Sequence, residues 1–92
     1  METAISTGEL TADTTICLKP GALCAILVIT DGTNAATAIL YDGTASDKKL
    51  GEWTVPGTSQ YGGRNWVIPV WFENGLFLDL TGTGASAIVE YI

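Results

Sequence analysis

The residues of this chain that could do chemistry are two cysteines, a glycine-rich run and a few lysines and loop carboxylates. The sequence contains no histidine, so a serine, threonine or cysteine nucleophile would have only a lysine or a carboxylate as its base. Lys48 and Lys49 are adjacent in a polar turn, where we expect them to be solvated. We therefore predict that the chain is not an enzyme and holds no cofactor.

The two cysteines, Cys17 and Cys24, flank Pro20-Gly21. A two-residue loop there would set the two side chains opposite each other across a hairpin, which makes a disulfide geometrically conceivable. A type II turn, however, twists the wrong way for a tight hairpin, and directly opposed positions often strain the bridge. We favour two free, buried thiols. Without histidine they do not make a zinc site on their own.

Three loop aspartates, Asp31, Asp42 and Asp47, are the remaining candidate metal ligands. Their spacing does not match the calcium loop of an EF-hand, and aspartate is common in turns for backbone reasons. We predict no metal site.

The run Gly82 to Ala87 fits the pattern Gly-x-Gly-x-x-Ala of dinucleotide-binding loops. Only five residues follow it, whereas a βαβ unit needs about thirty. The run is therefore interpreted as a turn between the last two strands.

The longest loop, residues 56–65, is the segment most free to carry variable function. We predict that Gln60, Tyr61 and Arg64 contact a partner, because tyrosine and arginine are favoured interface anchors. The alternative is a carbohydrate-binding surface on which Trp53, Tyr61 and Trp66 stack against sugar rings.

Length and composition limit the class of protein to which this sequence can belong. The 92 residues suffice for one domain, and 47% of them are apolar against 15% charged, which indicates a folded chain. The net charge of -6 argues against binding to nucleic acid or an anionic membrane. The longest apolar run is far shorter than the roughly 20 residues of a membrane span, and the N-terminus does not resemble a signal peptide. A core this small also favours oligomerisation.

Short runs of β-branched and aromatic residues, separated by Gly, Pro and Asp-Gly, predict an all-β protein. Pro20-Gly21 suits a type II turn, and the Asp-Gly and Asn-Gly pairs supply the positive φ angles of hairpins. We predict an antiparallel β-sandwich or jelly-roll-like barrel of about seven to eight short strands. The predicted strands lie near residues 3–9, 14–18, 23–30, 37–41, 50–55, 66–72, 76–81 and 87–92.

The Asn74-Gly75 pair predicts a two-residue hairpin in which Phe72 faces Phe77 and Trp71 faces Leu78. One face would then be the core, and the other would carry apolar bulk that the core does not need. We predict self-association through this second face, although a bulge at Pro69 would exchange the faces. The predicted core face is Val67, Pro69, Trp71, Leu76, Leu78 and Leu80, and the predicted self-association face is Trp66, Ile68, Val70, Phe72 and Phe77.

The continuous apolar run 23–29 predicts a central strand buried on both faces. Residues 1–12 are small and polar, so we expect an N-terminal arm or edge strand beside a single sandwich domain, 13–92. An arm can add a strand to a neighbour's sheet. Its predicted docking residues are Thr3, Ile5, Thr7 and Leu10.

Three stretches carry a resemblance to a known group: residues 72–91 (FENGLFLDLTGTGASAIVEY), 30–34 (TDGTN) and 41–44 (YDGT). They resemble small accessory virion proteins of tailed bacteriophages, especially head-decoration or capsid-cement proteins, over about residues 22–92. The resemblance implies a non-enzymatic structural protein, made in the host bacterial cytoplasm. It would bind the major capsid protein on the outer surface of the virion, as a homo-oligomer with a trimer favoured. Similar phage domains serve in tails and as receptor-binding ornaments, which keeps the carbohydrate- or receptor-binding module as the alternative.

Overall fold

The chain forms eight β-strands within the residues that the computed structural model describes, 4–44 and 48–92 without the side chain of Val67. Each predicted strand has a counterpart, and the bounds differ by a few residues except at the sixth. The strands are β1 (Ile5–Leu10), β2 (Thr14–Cys17), β3 (Gly21–Ile29), β4 (Ala36–Asp42), β5 (Lys48–Val55), β6 (Tyr61–Phe72), β7 (Leu76–Thr81) and β8 (Ser86–Tyr91).

The strands make two four-stranded antiparallel sheets, which we name the first sheet (β1-β8-β3-β6) and the second sheet (β2-β7-β4-β5). Among the described strands, every connection except β4 to β5 passes from one sheet to the other. This order is that of a jelly roll, in which two Greek keys close a sandwich. The predicted all-β sandwich is confirmed.

The core lies between the sheets and is built by alternation along the strands. In β4, Ala36, Ala38 and Leu40 are buried while the residues between them are partly exposed, as the two-residue period of a strand requires. The core cluster comprises Leu23, Ile26, Val28, Ala36, Ala38, Leu40, Val55, Phe72, Leu76, Leu78, Ala85, Ala87 and Val89.

The predicted turn chemistry is correct at several glycines and wrong at one. Gly32, Gly43 and Gly75 have positive φ, as the Asp-Gly and Asn-Gly pairs indicate. Gly21 does not, so Pro20-Gly21 is not a type II turn. Gly21 instead begins β3, where a Cβ would lie 2.8 Å from the ring of Phe72.

The predicted β6–β7 hairpin is wrong. β6 pairs with β3 in the first sheet, and β7 pairs with β2 and β4 in the second. The turn between them therefore crosses the sandwich and fixes no register between the strands that it joins. The carboxylate of Asp42 holds this crossing turn by accepting hydrogen bonds from the backbone N–H of Glu73 and Asn74.

The predicted faces of β6 are consequently exchanged near its end. Phe72 is 0% exposed in the core, whereas Trp71, which was expected in the core, is 59% exposed. A bulge accompanies the change, because Leu23 pairs with Val70 while Ala25 pairs with Asn65. One residue of β3 thus faces residues 66–69 of β6, around the proline that cannot donate to the ladder.

Candidate binding surface

The outer faces of the two sheets differ in chemistry. On the second sheet, Ile39 of β4 lies in register between Asp79 and Glu52, so a charged side chain flanks it on each side. On the first sheet, Leu27 of β3 lies in register between Gly63 and Ile88 and is 37% exposed. The outward residues of β3 are Ala25, Leu27 and Ile29, which form an apolar row. Ala25 is buried, Ile29 is half-buried and Leu27 is exposed, so the row is open to solvent mainly at Leu27.

This row forms the floor of a shallow depression that we name the outer groove. It consists of two adjoining hollows of about 530 and 280 Å³, and Leu27 and Tyr61 line both of them. Gly63 contributes no side chain to the groove and can carry none, because a Cβ would collide with the backbone oxygen of Ile26. The groove runs along β3 from Glu90 to the loop that follows the strand.

Carboxylates lie at both ends of the outer groove. Glu90 and Arg64 line the larger hollow, and Asp31 lines the smaller one. Burial, and secondarily the charge of Glu90, raises the pKa of the nearby Cys24 thiol. Among the described residues that line the two hollows, Arg64 is the one cation beside the carboxylates Glu90 and Asp31, so the groove has an apolar floor and a largely acidic rim.

Asp31 serves its own loop. Its carboxylate accepts hydrogen bonds from the backbone N–H of Asn34 at 2.7 Å and of Thr33 at 2.8 Å, and from the Asn34 side chain at 2.9 Å. The backbone and then the side chain of Asn34, followed by the backbone of Thr33, hold the Asp31 pKa below its ordinary value. These hydrogen bonds explain why an aspartate occupies this turn.

An aromatic cluster closes the open side of the sandwich between β5 and β6. The rings of Trp53 and Trp66 meet edge to face with centroids 5.5 Å apart, and the Arg64 guanidinium lies 5.3 Å from the Trp66 centroid. Both tryptophans also pack against the core. Two of the three aromatic residues of the predicted sugar platform are thus in contact, and they serve as a seal for the core.

The predicted self-association face is not a single surface in the structure. Phe72 belongs to the core, which contradicts its assignment to an interface. Trp66 and Val70 pack partly against the core, and Phe77 is half-buried on the second sheet, whereas Ile68 is 82% exposed. The five residues are dispersed because β6 and β7 belong to opposite sheets.

The predicted partner-contact residues all lie on the surface at the start of β6. Gln60, Tyr61 and Arg64 are exposed, and Tyr61 reaches 68%. Tyr61 to Asn65 are part of β6, however, so the second half of the expected loop is an edge strand. Gly62-Gly63 interrupts the pattern of β-branched residues, so the pattern did not predict this part of the strand.

The predicted docking arm is the edge strand β1, which pairs with β8 of the same chain. Ile5 is exposed, and Thr7 donates to the Gly8 carbonyl and accepts from the Val89 N–H. Leu10 packs against the core. Thr3 lies outside the described residues.

The candidate metal and disulfide residues are not brought together. Asp31 precedes β4 and Asp42 ends it, so they lie at opposite ends of the sandwich, and Asp47 lies outside the described residues. Residues 4–44 and 48–92 contain no cluster of three His, Cys, Asp or Glu side chains that could hold a metal ion. Cys17 and Cys24 are free thiols on strands of different sheets.

The middle of the outer groove is formed by Leu27, Gly63 and Ile88, none of which was among the predicted site residues. The signal for the first was present, because the apolar run 23–29 predicted a strand buried on both faces. β3 is an inner strand of the first sheet, but on its outer face Leu27 is exposed and Ile29 is only half-buried.

No protein-family model, curated protein or solved structure matches this chain. None of the described segments is a helix long and apolar enough to cross a membrane.

Proposed function

We propose that this protein is a non-enzymatic structural component of a phage virion that binds the outer surface of the capsid through its outer groove. The outer groove carries the proposal, because its floor is the apolar row of β3 and the exposed Leu27 lines both of its hollows. A concave, mostly apolar surface with a few polar groups around it is the usual form of a binding site. The resemblance of residues 22–92 to decoration proteins supplies the identity of the partner, the major capsid protein.

The acidic rim of the groove indicates the charge expected on the partner's surface. Glu90 and Asp31 lie at the two ends of the groove, so two copies packed groove to groove would oppose like charges. A surface with apolar groups flanked by lysine or arginine is complementary to it. The groove is therefore proposed to face the shell protein rather than a second copy of this chain.

The test is co-sedimentation of the purified protein with capsid particles of a tailed phage that encodes it, prepared without the chain. Leu27→Lys places a charge on the floor of the groove, and Ile39→Lys is the matched control on the outer face of the second sheet. We expect wild type and Ile39→Lys to sediment with particles to the same saturation and Leu27→Lys to lose at least about tenfold in affinity. Wild type that stays in the supernatant, or a Leu27→Lys variant that binds equally well, would exclude the proposal.

A second candidate function is carbohydrate or receptor binding. It is favoured by Tyr61, whose exposed ring borders the groove beside the polar side chains of Asn65 and Glu90. An aromatic ring with adjacent hydrogen-bonding groups is the pattern that a sugar requires. A glycan array probed with wild type, Tyr61→Ala and the control Tyr41→Ala tests it, and only retention lost in Tyr61→Ala would support it.

A further inference from the structure

The four edge strands of the sandwich are unequally protected against pairing with another chain. β1 is interrupted by a register shift between Ser6 and Glu9, and β2 has four residues and a shift of its own. β5 carries Lys48, Lys49 and Glu52. Bulges, short length and charges are the usual means by which proteins blunt an open edge.

The first half of β6 lacks these protections. Its residues Tyr61–Asn65 pair with Ile29–Ala25 of β3 in unbroken register, and Arg64 is the one charged residue among them. The bulge and Pro69 protect β6 only beyond this stretch. Among the described strands, none pairs with the other edge of β6.

The alternation of hydrogen-bonded and non-hydrogen-bonded pairs between β3 and β6 shows which N–H and C=O groups of β6 point away from β3. The Thr30 N–H donates to the Gln60 carbonyl at 2.8 Å, directly beside the Ile29–Tyr61 pair. In an antiparallel ladder this makes Ile29–Tyr61 a non-hydrogen-bonded pair, and the pairs alternate from there. The N–H and C=O groups of Tyr61, Gly63 and Asn65 therefore point away from β3.

We propose that two copies of this chain associate by pairing these β6 edges antiparallel about a two-fold axis at Gly63. Gly63 then faces Gly63 of the second copy, and Tyr61 faces Asn65. The three outward residues of each copy meet as hydrogen-bonded pairs, which gives about six inter-chain hydrogen bonds. The two first sheets become one continuous eight-stranded sheet. This association does not depend on the proposed docking to a capsid.

The side chains at this edge of β6 are compatible with the register that pairs Gly63 with Gly63 of the second copy. Tyr61 of the second copy lies opposite Asn65, which lines the outer groove. Arg64 of the second copy lies opposite Gly62, at a hollow of about 360 Å³ between β5 and β6 that is also lined by Glu52. The pairing sets no like charges directly opposite each other. Pockets that receive alternate side chains of an added strand give such pairing its specificity.

The test is the mass in solution, measured by size-exclusion chromatography with light scattering over a range of micromolar concentrations. We expect wild type to approach twice the 9.6 kDa of one chain. Asn65→Pro and Tyr61→Pro each remove an outward N–H without removing a ladder bond to β3. Each should raise the dimer dissociation constant at least about tenfold.

One further variant separates edge pairing from association through exposed side chains. Trp71→Ala removes a side chain of β6 that is 59% exposed and lies beyond the bulge, and it should leave the dimer intact. Circular dichroism establishes that each variant is folded. A monomeric or trimeric wild type, or a dimer unchanged in both Asn65→Pro and Tyr61→Pro, would overturn the proposal.

Discussion

Asp42 is expected to hold the crossing turn between β6 and β7, and its removal gives a measurable loss of stability. Asp42 is 5% exposed, and its carboxylate accepts from the Asn74 N–H at 2.8 Å and from the Glu73 N–H at 3.0 and 3.1 Å. Hydrogen bonds to a charged group contribute about 1.5–3 kcal/mol each. Water recovers part of this in Asp42→Ala, because Glu73 and Asn74 are exposed, and removing a buried charge offsets a further part. We expect a net loss of about 2–4 kcal/mol.

Asp42→Asn should cost about half as much, because the amide keeps one accepting oxygen. Urea unfolding followed by tryptophan fluorescence measures both variants. The melting temperature of Asp42→Ala should fall by at least about 8 °C, since 1 kcal/mol corresponds to about 4–8 °C in a domain of this size. Asp79→Ala removes the same charge from the outer face of the second sheet and should stay within about 0.5 kcal/mol of wild type. An Asp42→Ala variant as stable as Asp79→Ala would refute the capping role.

Three other predictions follow from the described contacts. Phe72→Ala should destabilise the fold by about 3–5 kcal/mol in urea unfolding, because the side chain is fully buried. Trp71→Ala, at the exposed neighbouring position, is the control. Equal losses of unfolding free energy in the two variants would contradict the assignment of Phe72 to the core face of β6 and Trp71 to its outer face. The lowered pKa of Asp31 means that this carboxylate adds stability above its unfolded-state pKa and loses it as the pH falls through its folded-state value. The difference in melting temperature between wild type and Asp31→Asn should therefore vanish at acidic pH, and a pH-independent difference would exclude this linkage. Because burial and then Glu90 raise the Cys24 pKa, alkylation of Cys24, followed by peptide mass spectrometry, should reach half its maximal rate at a lower pH in Glu90→Gln than in wild type. An unchanged profile would contradict the contribution of Glu90.

The sequence by itself determined the class of fold and the approximate position of each strand, except for the first half of β6. Strand positions follow from local chemistry: β-branched and aromatic residues form the strands, and Gly, Pro and Asp separate them. The positive φ of Gly32, Gly43 and Gly75 follows equally locally from the residue pairs that contain them. The apolar run 23–29 also identified the central strand of the first sheet.

Only the tertiary structure decided which strands pair and which side chains are exposed. An Asn-Gly turn has the same local conformation whether it closes a hairpin or crosses a sandwich, because its φ angles do not specify the partner of either flanking strand. β6 and β7 therefore entered opposite sheets, which buried Phe72 and exposed Trp71. The outer groove and the free edge of β6 likewise depend on neighbours distant in the sequence. Strand pairing is a non-local property, and the binding surfaces of this protein follow from it.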